Sequence, residues 1–227
     1  MIRIAGFCLA VLLIIGCEDD FQDPVVDASD RQFFPVDPSL IRVYEVDEIR
    51  FEISGFDTSA YFLREYVTDS FDHAGTMTYR IRMDTASDPE GEWKNLRVTT
   101  ARVSDERVIR REESTDRVKL VFPVKSSKTW NGNGYNTFPE QTYRYSSDVS
   151  TESTVEDLPG ELVRVIISDV PKNIVNQDEQ YEIYGKNVGL IEKNSIILNF
   201  CTVECDSANQ ILSGRSLSQR LIAYEKK

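Results

Sequence analysis

The sequence predicts an all-β, mainly antiparallel protein: a single curled sheet that forms an open barrel or a sandwich. Three observations support this fold class. Apolar residues recur in short alternating segments, turn-forming residues separate the segments, and the segments follow one another at roughly 8–15 residue intervals without helical crossovers. The chain of 227 residues, 41% hydrophobic and 28% charged, is long enough to bury the core of one such domain.

Local patterns mark each segment along the chain. Alternation is strictest at residues 77–83, and a change of parity after Val46 predicts a bulge or bend near Asp47. Short polar links at 104–105 and 114–116 favour antiparallel hairpins, and the two-glycine run 131–134 is a strong turn signal. The predicted strands comprise residues 41–46, 49–53, 61–67, 77–83, 93–103, 108–111, 118–124, 142–145, 162–167, 181–184, 190–200 and 217–224.

The first sixteen residues are typical of a lipoprotein signal peptide. Arg3 supplies a short positive region, and residues 4–15 form an apolar stretch too short to cross a membrane, which takes ~20 residues. The sequence Leu13-Ile14-Ile15-Gly16-Cys17 resembles the lipobox of bacterial lipoproteins. The resemblance implies cleavage by signal peptidase II before Cys17 and acylation of that cysteine by diacylglycerol and a further chain such as palmitate. The alternative is an ordinary secretory signal followed by a chance cysteine.

An acidic run, residues 18–20, follows Cys17 directly and resembles the surface-export signal of Bacteroidota lipoproteins. This resemblance implies an outer-membrane lipoprotein displayed on the cell surface; a periplasm-facing lipoprotein and a merely solvated linker are the alternatives. Residues 17–38 contain seven acidic residues and three prolines, which predicts a flexible tether after the lipid-bearing cysteine. The folded domain is therefore expected to span residues 39–227.

Several short segments of the body resemble a group of uncharacterised Bacteroidota lipoproteins. They are Phe33-Phe34-Pro35, residues 43–47, residues 118–124 with Thr129-Trp130, and residues 184–191. The resemblance implies a curved β-sheet domain and supplies no catalytic residues.

Charge and histidine content narrow the function classes. The formal net charge of −12 argues against a protein that grips nucleic-acid backbone. Because His73 is the only histidine in the sequence, most catalytic sites of the Ser-His-Asp or Cys-His type and most metal sites with several histidines are excluded. We therefore predict no cofactor, no metal and no catalytic residue. The acidic turns at Asp69, Asp72 and residues 84–92 do not follow the calcium-loop pattern.

Two function classes stay open. One is a non-enzymatic binding or assembly module of the cell envelope, held on the membrane by its N-terminal lipid and contacting an envelope protein or a glycan. The other is an envelope glycan hydrolase that uses two unassigned carboxylates, which a chain with 38 acidic residues cannot single out by sequence.

Cys201 and Cys205 form a C-x₃-C pair, for which a disulfide is the default in an oxidising envelope. In an ideal strand their Cα atoms would lie ~13 Å apart, whereas bonded cysteines need about 4.4–6.8 Å. A disulfide would therefore require a turn at residues 202–204. Free thiols and a metal or redox pair are the alternatives.

Residues 94–128 are basic, with ten Lys or Arg against five Asp or Glu, in an acidic chain. Alternation puts Arg107 and Arg111 on one side of a strand, and Arg117 and Lys119 on one side of the next. Aligned across a hairpin, these four would form a patch for a phosphate, an acidic glycan or a partner's carboxylates. The alternative is ion pairing with acidic residues of neighbouring strands.

Aromatic residues around the Asn-Gly turn offer a second binding hypothesis. A sugar-stacking platform and ordinary core packing are both compatible with their spacing. The residues concerned are Trp93, Trp130, Tyr135, Phe138, Tyr143 and Tyr145.

Overall fold

The computed structural model describes residues 28–226, except 74, 157, 159, 206, 208 and 209. The predicted signal peptide, Cys17 and residues 17–27 of the predicted tether lie outside this part of the chain. Among the described residues, no helix is long and apolar enough to cross a membrane.

The described chain contains one short 3₁₀ helix and twelve β-strands, and the predicted all-β fold class is confirmed. Every strand pair is antiparallel. The elements are the 3₁₀ helix Ala28–Phe33 and strands β1 Leu40–Glu52, β2 Gly55–His73, β3 Thr76–Ala86, β4 Lys94–Val103, β5 Arg107–Glu112, β6 Thr115–Val121, β7 Thr129–Asn131, β8 Thr142–Ser146, β9 Leu162–Val170, β10 Asn176–Gly185, β11 Gly189–Phe200 and β12 Ile211–Lys226.

The twelve strands form one sheet in the order β6-β5-β4-β3-β2-β1-β12-β11-β10-β9-β8-β7. Each half of the chain is a meander, because strands that follow one another in the chain are neighbours in the sheet. The two meanders join through the pairing of β1 with β12, which extends from Leu40↔Lys226 to Phe51↔Gly214. The first and last strands of the chain therefore lie side by side in the middle of the sheet.

The two edges of the sheet, β6 and β7, meet and close it into a barrel. The Val118 N–H donates to the carbonyl of Gly132 (2.9 Å), and the indole of Trp130 donates to the carbonyl of Val118 (2.9 Å). Further along β6, the Tyr145 hydroxyl bonds both the N–H and the carbonyl of Val121. Main-chain groups that an open sheet would leave unpaired are thus satisfied.

The 3₁₀ helix and the residues after it seal one end of the barrel, which we call the closed end. Phe33 and Phe34 are buried in the core, and Asp30 accepts a hydrogen bond from the Val124 N–H (2.7 Å). The Asn187 N–H, in the β10–β11 turn, donates to the carbonyl of Gln32 (2.8 Å).

This differs from the tether expected over residues 17–38. Residues 28–38 belong to the folded body, because two adjacent phenylalanines at the end of an acidic segment supply the apolar plug of the barrel. The acidic composition of the segment gave no indication that these two phenylalanines are buried.

The bend expected near Asp47 is absent, because β1 pairs with β2 in unbroken register from Ile41 to Glu52. The register of β1 against β12 shifts between Val43 and Tyr44. The extra residue is Ile222 of β12, so the alternation of β1 is uninterrupted. Tyr44 points into the core, where its hydroxyl donates to the carbonyl of Leu190 (3.0 Å).

Candidate functional site

The other end of the barrel, the open end, holds a cavity of about 570 Å³ that we call the lumen. Because the strands are antiparallel, the β1–β2, β5–β6 and β11–β12 links lie at the end away from the 3₁₀ helix. The lining residues Arg50, Glu113 and Ile197 lie close to these links. Every strand except β7 contributes to the lining, so the lumen is a product of barrel closure.

The lumen is rich in charge, and positive charge prevails. Eight basic residues against five acidic ones line it, although the chain has a net charge of −12. The basic residues are Arg50, Arg97, Arg110, Arg111, Arg117, Lys119, Lys193 and Arg215; the acidic ones are Glu48, Glu65, Glu112, Glu113 and Glu182.

One wall of the lumen is a network of two lysines and two glutamates. The Lys119 ammonium lies 2.6 Å from Glu182 and 3.1 Å from Glu112, and Lys193 lies 3.2 Å and 3.1 Å from the same carboxylates. The Tyr184 hydroxyl donates to Glu182 (2.7 Å). Because Lys119 and Glu182 are buried, the remaining hydrogen-bonding capacity of both charges has to be met inside the protein.

The two kinds of charge in this network stabilise one another. Burial by itself raises the pKa of Glu182, but the ammonium groups of Lys119 and Lys193 outweigh it and hold that pKa below its ordinary value. The same balance holds the pKa of Glu112 well below its ordinary value. Burial tends to lower the pKa of Lys119, yet the two carboxylates raise it. All three groups are therefore charged at neutral pH.

A second buried cluster forms the floor of the lumen. The Glu65 carboxylate lies between the guanidinium groups of Arg42 (3.2 Å) and Arg110, which bonds it directly. Burial raises the pKa of Glu65, but Arg110 and Arg42 outweigh it and lower that pKa. The cluster fixes β1, β2 and β5 to one another.

Two arginines of the lumen, Arg97 and Arg117, differ from the others. The Nε of Arg97 points to the sulfur of Met83 (3.4 Å), and Arg117 donates to the amide oxygens of Gln141 (3.3 Å) and Asn133. Neither has a carboxylate within 4.0 Å among the described residues. These two guanidinium groups carry charge that no described protein anion neutralises directly.

The structure divides the four cations predicted as one patch. Arg117 and Lys119 line the lumen, and Lys119 is buried and paired. Arg111 borders the lumen but pairs with Asp116 (2.9 Å). Arg107 lies elsewhere, in a hollow of about 360 Å³, where it donates to the Tyr135 hydroxyl (3.1 Å).

No single exposed surface presents all four cations, because the side chains of a barrel go to two faces that are separated by the sheet itself. Glu182, which pairs with Lys119, and Lys193, which shares the same carboxylates, come from the other half of the chain. Sequence carried no signal that would select these two residues.

Cys201 and Cys205 are bonded to each other in the β11–β12 link, with their Cα atoms 5.7 Å apart. Residues 202–204 form the turn that such a bond requires, and Glu204 adopts a positive φ of 54° there.

The aromatic residues near the Asn-Gly turn do not form one platform. Trp130 packs against Tyr143 and Tyr145, with ring centroids 6.0 and 4.6 Å apart, and both tyrosines are buried. Tyr135 and Phe138 are exposed instead. Core packing and barrel closure therefore account for the positions of Trp130, Tyr143 and Tyr145.

The acidic segment considered for calcium contains a buried ion cluster. Asp84 is fully buried and bonds Arg64 (2.8 Å) and Arg82 (2.7 Å). Burial raises the pKa of Asp84, but the hydrogen bonds from the two arginines outweigh it and lower that pKa. In the part of the chain that the structure describes, no group of three or more His, Cys, Asp or Glu is arranged to hold a metal ion.

Comparisons with known proteins give two structural likenesses. No family model matches the chain, and no curated protein matches it significantly. A crystal structure of "a putative exported protein with YmcC-like fold" from Bacteroides fragilis aligns at a TM-score of 0.43 and 14% identity, over 86% of this chain and 99% of that one. A "putative lipoprotein" from Parabacteroides distasonis aligns at 0.41 and 11% identity, over 85% of this chain and 98% of that one.

Proposed function

We propose that this protein is a lipid-anchored, outer-membrane envelope protein that acts as a non-enzymatic binding module, and that its lumen takes an anionic ligand. The lipobox ending at Cys17 and the acidic run after it support the anchoring. The excess of positive charge in the lumen of an acidic chain carries the ligand class.

The position of the unpaired cations supports an anion rather than a neutral ligand. Arg97 is exposed and Arg117 half-buried, so both guanidinium groups are open to a molecule that enters the lumen. A guanidinium group binds a phosphate or carboxylate through two parallel hydrogen bonds. Such bonds gain strength in a cavity walled by protein, where the dielectric constant is lower than in water.

The size of the lumen fits a small molecule or the head of a larger one. Ligand cavities are typically ~300–1,000 Å³, and the lumen of about 570 Å³ falls inside this range. The salt-bridged walls and floor would keep their geometry on binding, because their charges are already paired within the protein.

Three carboxylates of the lumen lack the raised pKa that the glycan hydrolase alternative requires. A glycosidase needs one carboxyl group that stays protonated near neutral pH, which requires a raised pKa. Glu65, Glu112 and Glu182 have lowered pKa values because lysines or arginines surround them. These groups suit electrostatic support of the cavity rather than proton donation.

A titration with methyl phosphate, followed by amide chemical shifts, tests the proposal. We expect saturable shifts at lumen residues, and an affinity about tenfold weaker or more in Arg97→Gln/Arg117→Gln. The control Arg80→Gln/Arg144→Gln removes the same charge from exposed pairs with Asp69 and Asp169, and should bind like the native protein. No saturable binding, or equal weakening in both variants, would overturn the proposal.

A further inference from the structure

Three neighbouring hairpins at the open end each expose a large aliphatic side chain. Ile53 in the β1–β2 turn is 88% exposed, Ile174 in the β9–β10 link 81%, and Val203 in the β11–β12 link 77%. The sheet order β2-β1-β12-β11-β10-β9 places these hairpins side by side. We call Ile53, Ile174 and Val203 the tip residues.

Apolar surface also reaches from the lumen toward these tips. Leu217 lines the lumen and is buried, and Ile197 lines the lumen and is 40% exposed. Ile197 precedes Val203 by six residues on the same hairpin. On β4, Leu96 also lines the lumen and is 47% exposed. The mouth of the lumen is thus partly apolar, and the three tip residues lie beyond it.

Unpaired cations and exposed apolar side chains therefore both occur at the open end of the barrel. The unpaired guanidinium groups of Arg97 and Arg117 line the lumen together with Leu96 and Ile197, and the tip residues lie on the hairpins at the same end. A small polar anion would contact only the two guanidinium groups. A flat apolar partner surface would contact only the exposed apolar side chains and would leave the lumen cations unpaired.

We propose that the ligand of the lumen is an anionic amphiphile, with a phosphate or carboxylate head beside Arg97 and Arg117 and an alkyl chain leaving over Ile197 toward the tip residues. This inference rests on the proposed anion-binding function and specifies its ligand class. The head offsets the lumen charge, and the chain covers apolar side chains that are otherwise in water.

The experiment is a series of n-alkyl phosphates from methyl to decyl, titrated into the protein as monomers below their critical micelle concentrations. Each methylene that reaches apolar surface should strengthen binding by about fourfold, from ~0.8 kcal/mol per buried CH₂. In Ile53→Ser/Ile174→Ser/Val203→Ser, methyl phosphate should bind as in the native protein, but the gain from methyl to decyl should fall by about tenfold or more.

Matched variants test separately the contacts of the ligand's anionic head and those of its alkyl chain. Met77→Ser/Val98→Ser/Tyr135→Ser removes three exposed apolar or aromatic side chains away from the mouth, and should keep the full dependence on chain length. Arg97→Gln/Arg117→Gln should weaken all chain lengths by the same factor. All altered tip residues are exposed, so the variants are expected to fold.

The outcomes separate this inference from the proposed function. If methyl phosphate binds but longer chains bind no better, the amphiphile inference is wrong and the anion site stands. If methyl phosphate does not bind at all, the proposed anion-binding function itself is wrong.

Sedimentation with phosphatidylcholine vesicles, with and without phosphatidic acid, distinguishes a bilayer lipid from a free amphiphile. Tip-dependent binding to vesicles without anionic lipid, combined with no chain-length effect, would show that the tips dock on bilayers instead.

Discussion

The hydroxyl group of Tyr145 donates a hydrogen bond to the carbonyl of Val121 and accepts one from the Val121 N–H, both at 2.9 Å. A side chain from β8 thus takes the place that a neighbouring strand would occupy at the edge of β6. Together with the bonds of Val118 to Gly132 and Trp130, this contact closes the barrel.

Tyr145→Phe should therefore destabilise the protein. The variant keeps the ring in the core but leaves two main-chain groups of Val121 without their partner, which costs about 1–3 kcal/mol. Chemical denaturation at neutral pH measures the change. Tyr135→Phe is the control, because it removes an exposed hydroxyl that only accepts from Arg107. Equal stability of Tyr145→Phe and the native protein would show that the seam does not depend on this hydroxyl.

Gly132→Ala should disturb the same seam by overpacking. A Cβ at Gly132 would lie 2.3 Å from the buried ring of Tyr143, which lines the lumen. The ring has to move, at a cost of about 1–3 kcal/mol. In Gly134→Ala, two residues away in the same turn, the nearest atom is the carbonyl oxygen of Asn131 at 3.3 Å, so the effect should be much smaller. Thermal unfolding of both variants tests the difference, and similar losses in the two would contradict it.

Glu182→Gln should destabilise the barrel at neutral pH and change its response to acid. The variant leaves the buried Lys119 with Glu112 as its remaining carboxylate partner, at a cost of about 3 kcal/mol. Because the folded-state pKa of Glu182 is lowered, its contribution to stability is present above the unfolded pKa of about 4.3 and is lost as the pH falls through the folded value.

Denaturation profiles from about pH 7 down to pH 3 measure both effects. Below about pH 4.3 the native protein should lose more stability than Glu182→Gln does. The exposed Glu90→Gln is the control, with native behaviour expected throughout. Parallel profiles for the native protein and Glu182→Gln would show that this carboxylate does not contribute to acid sensitivity.

Cys17→Ala should release the protein from the membrane fraction while leaving the folded body intact. Acyl chains hold a protein on a bilayer at ~0.8 kcal/mol per buried CH₂, so their loss removes the anchor. Cell fractionation with circular dichroism of the released protein measures the two effects. A variant that stays on membranes would mean that some other contact holds it there.

The sequence predicted most strands because the information is local, although it divided β1 in two and did not predict β7. Alternation in residues 77–83 and the polar links after Val103 and Glu112 required no knowledge of the rest of the chain. The plug formed by Phe33 and Phe34 was missed, since its segment is acidic on average. Their role depends on an apolar barrel end that the later strands create.

The candidate site was predicted only in part. Lys119 and Arg117 were singled out from a basic segment, yet their function depends on residues that no local pattern marks. Lys119 pairs with Glu182 at a separation of 63 residues, and Arg110 with Glu65 at 45. In a chain with 38 acidic residues, only spatial proximity identifies the partners.

Local sequence patterns thus predicted the all-β class and the positions of most strands along the chain, and a lipoprotein signal at residues 1–17 remains a prediction. Tertiary structure decided which charges face the lumen and which face outward, and it placed Arg97 and Arg117 in a cavity bordered by apolar side chains. This division arises because strand periodicity and turn chemistry act between near neighbours. The inner face of a barrel exists only after its distant edges, β6 and β7, have met.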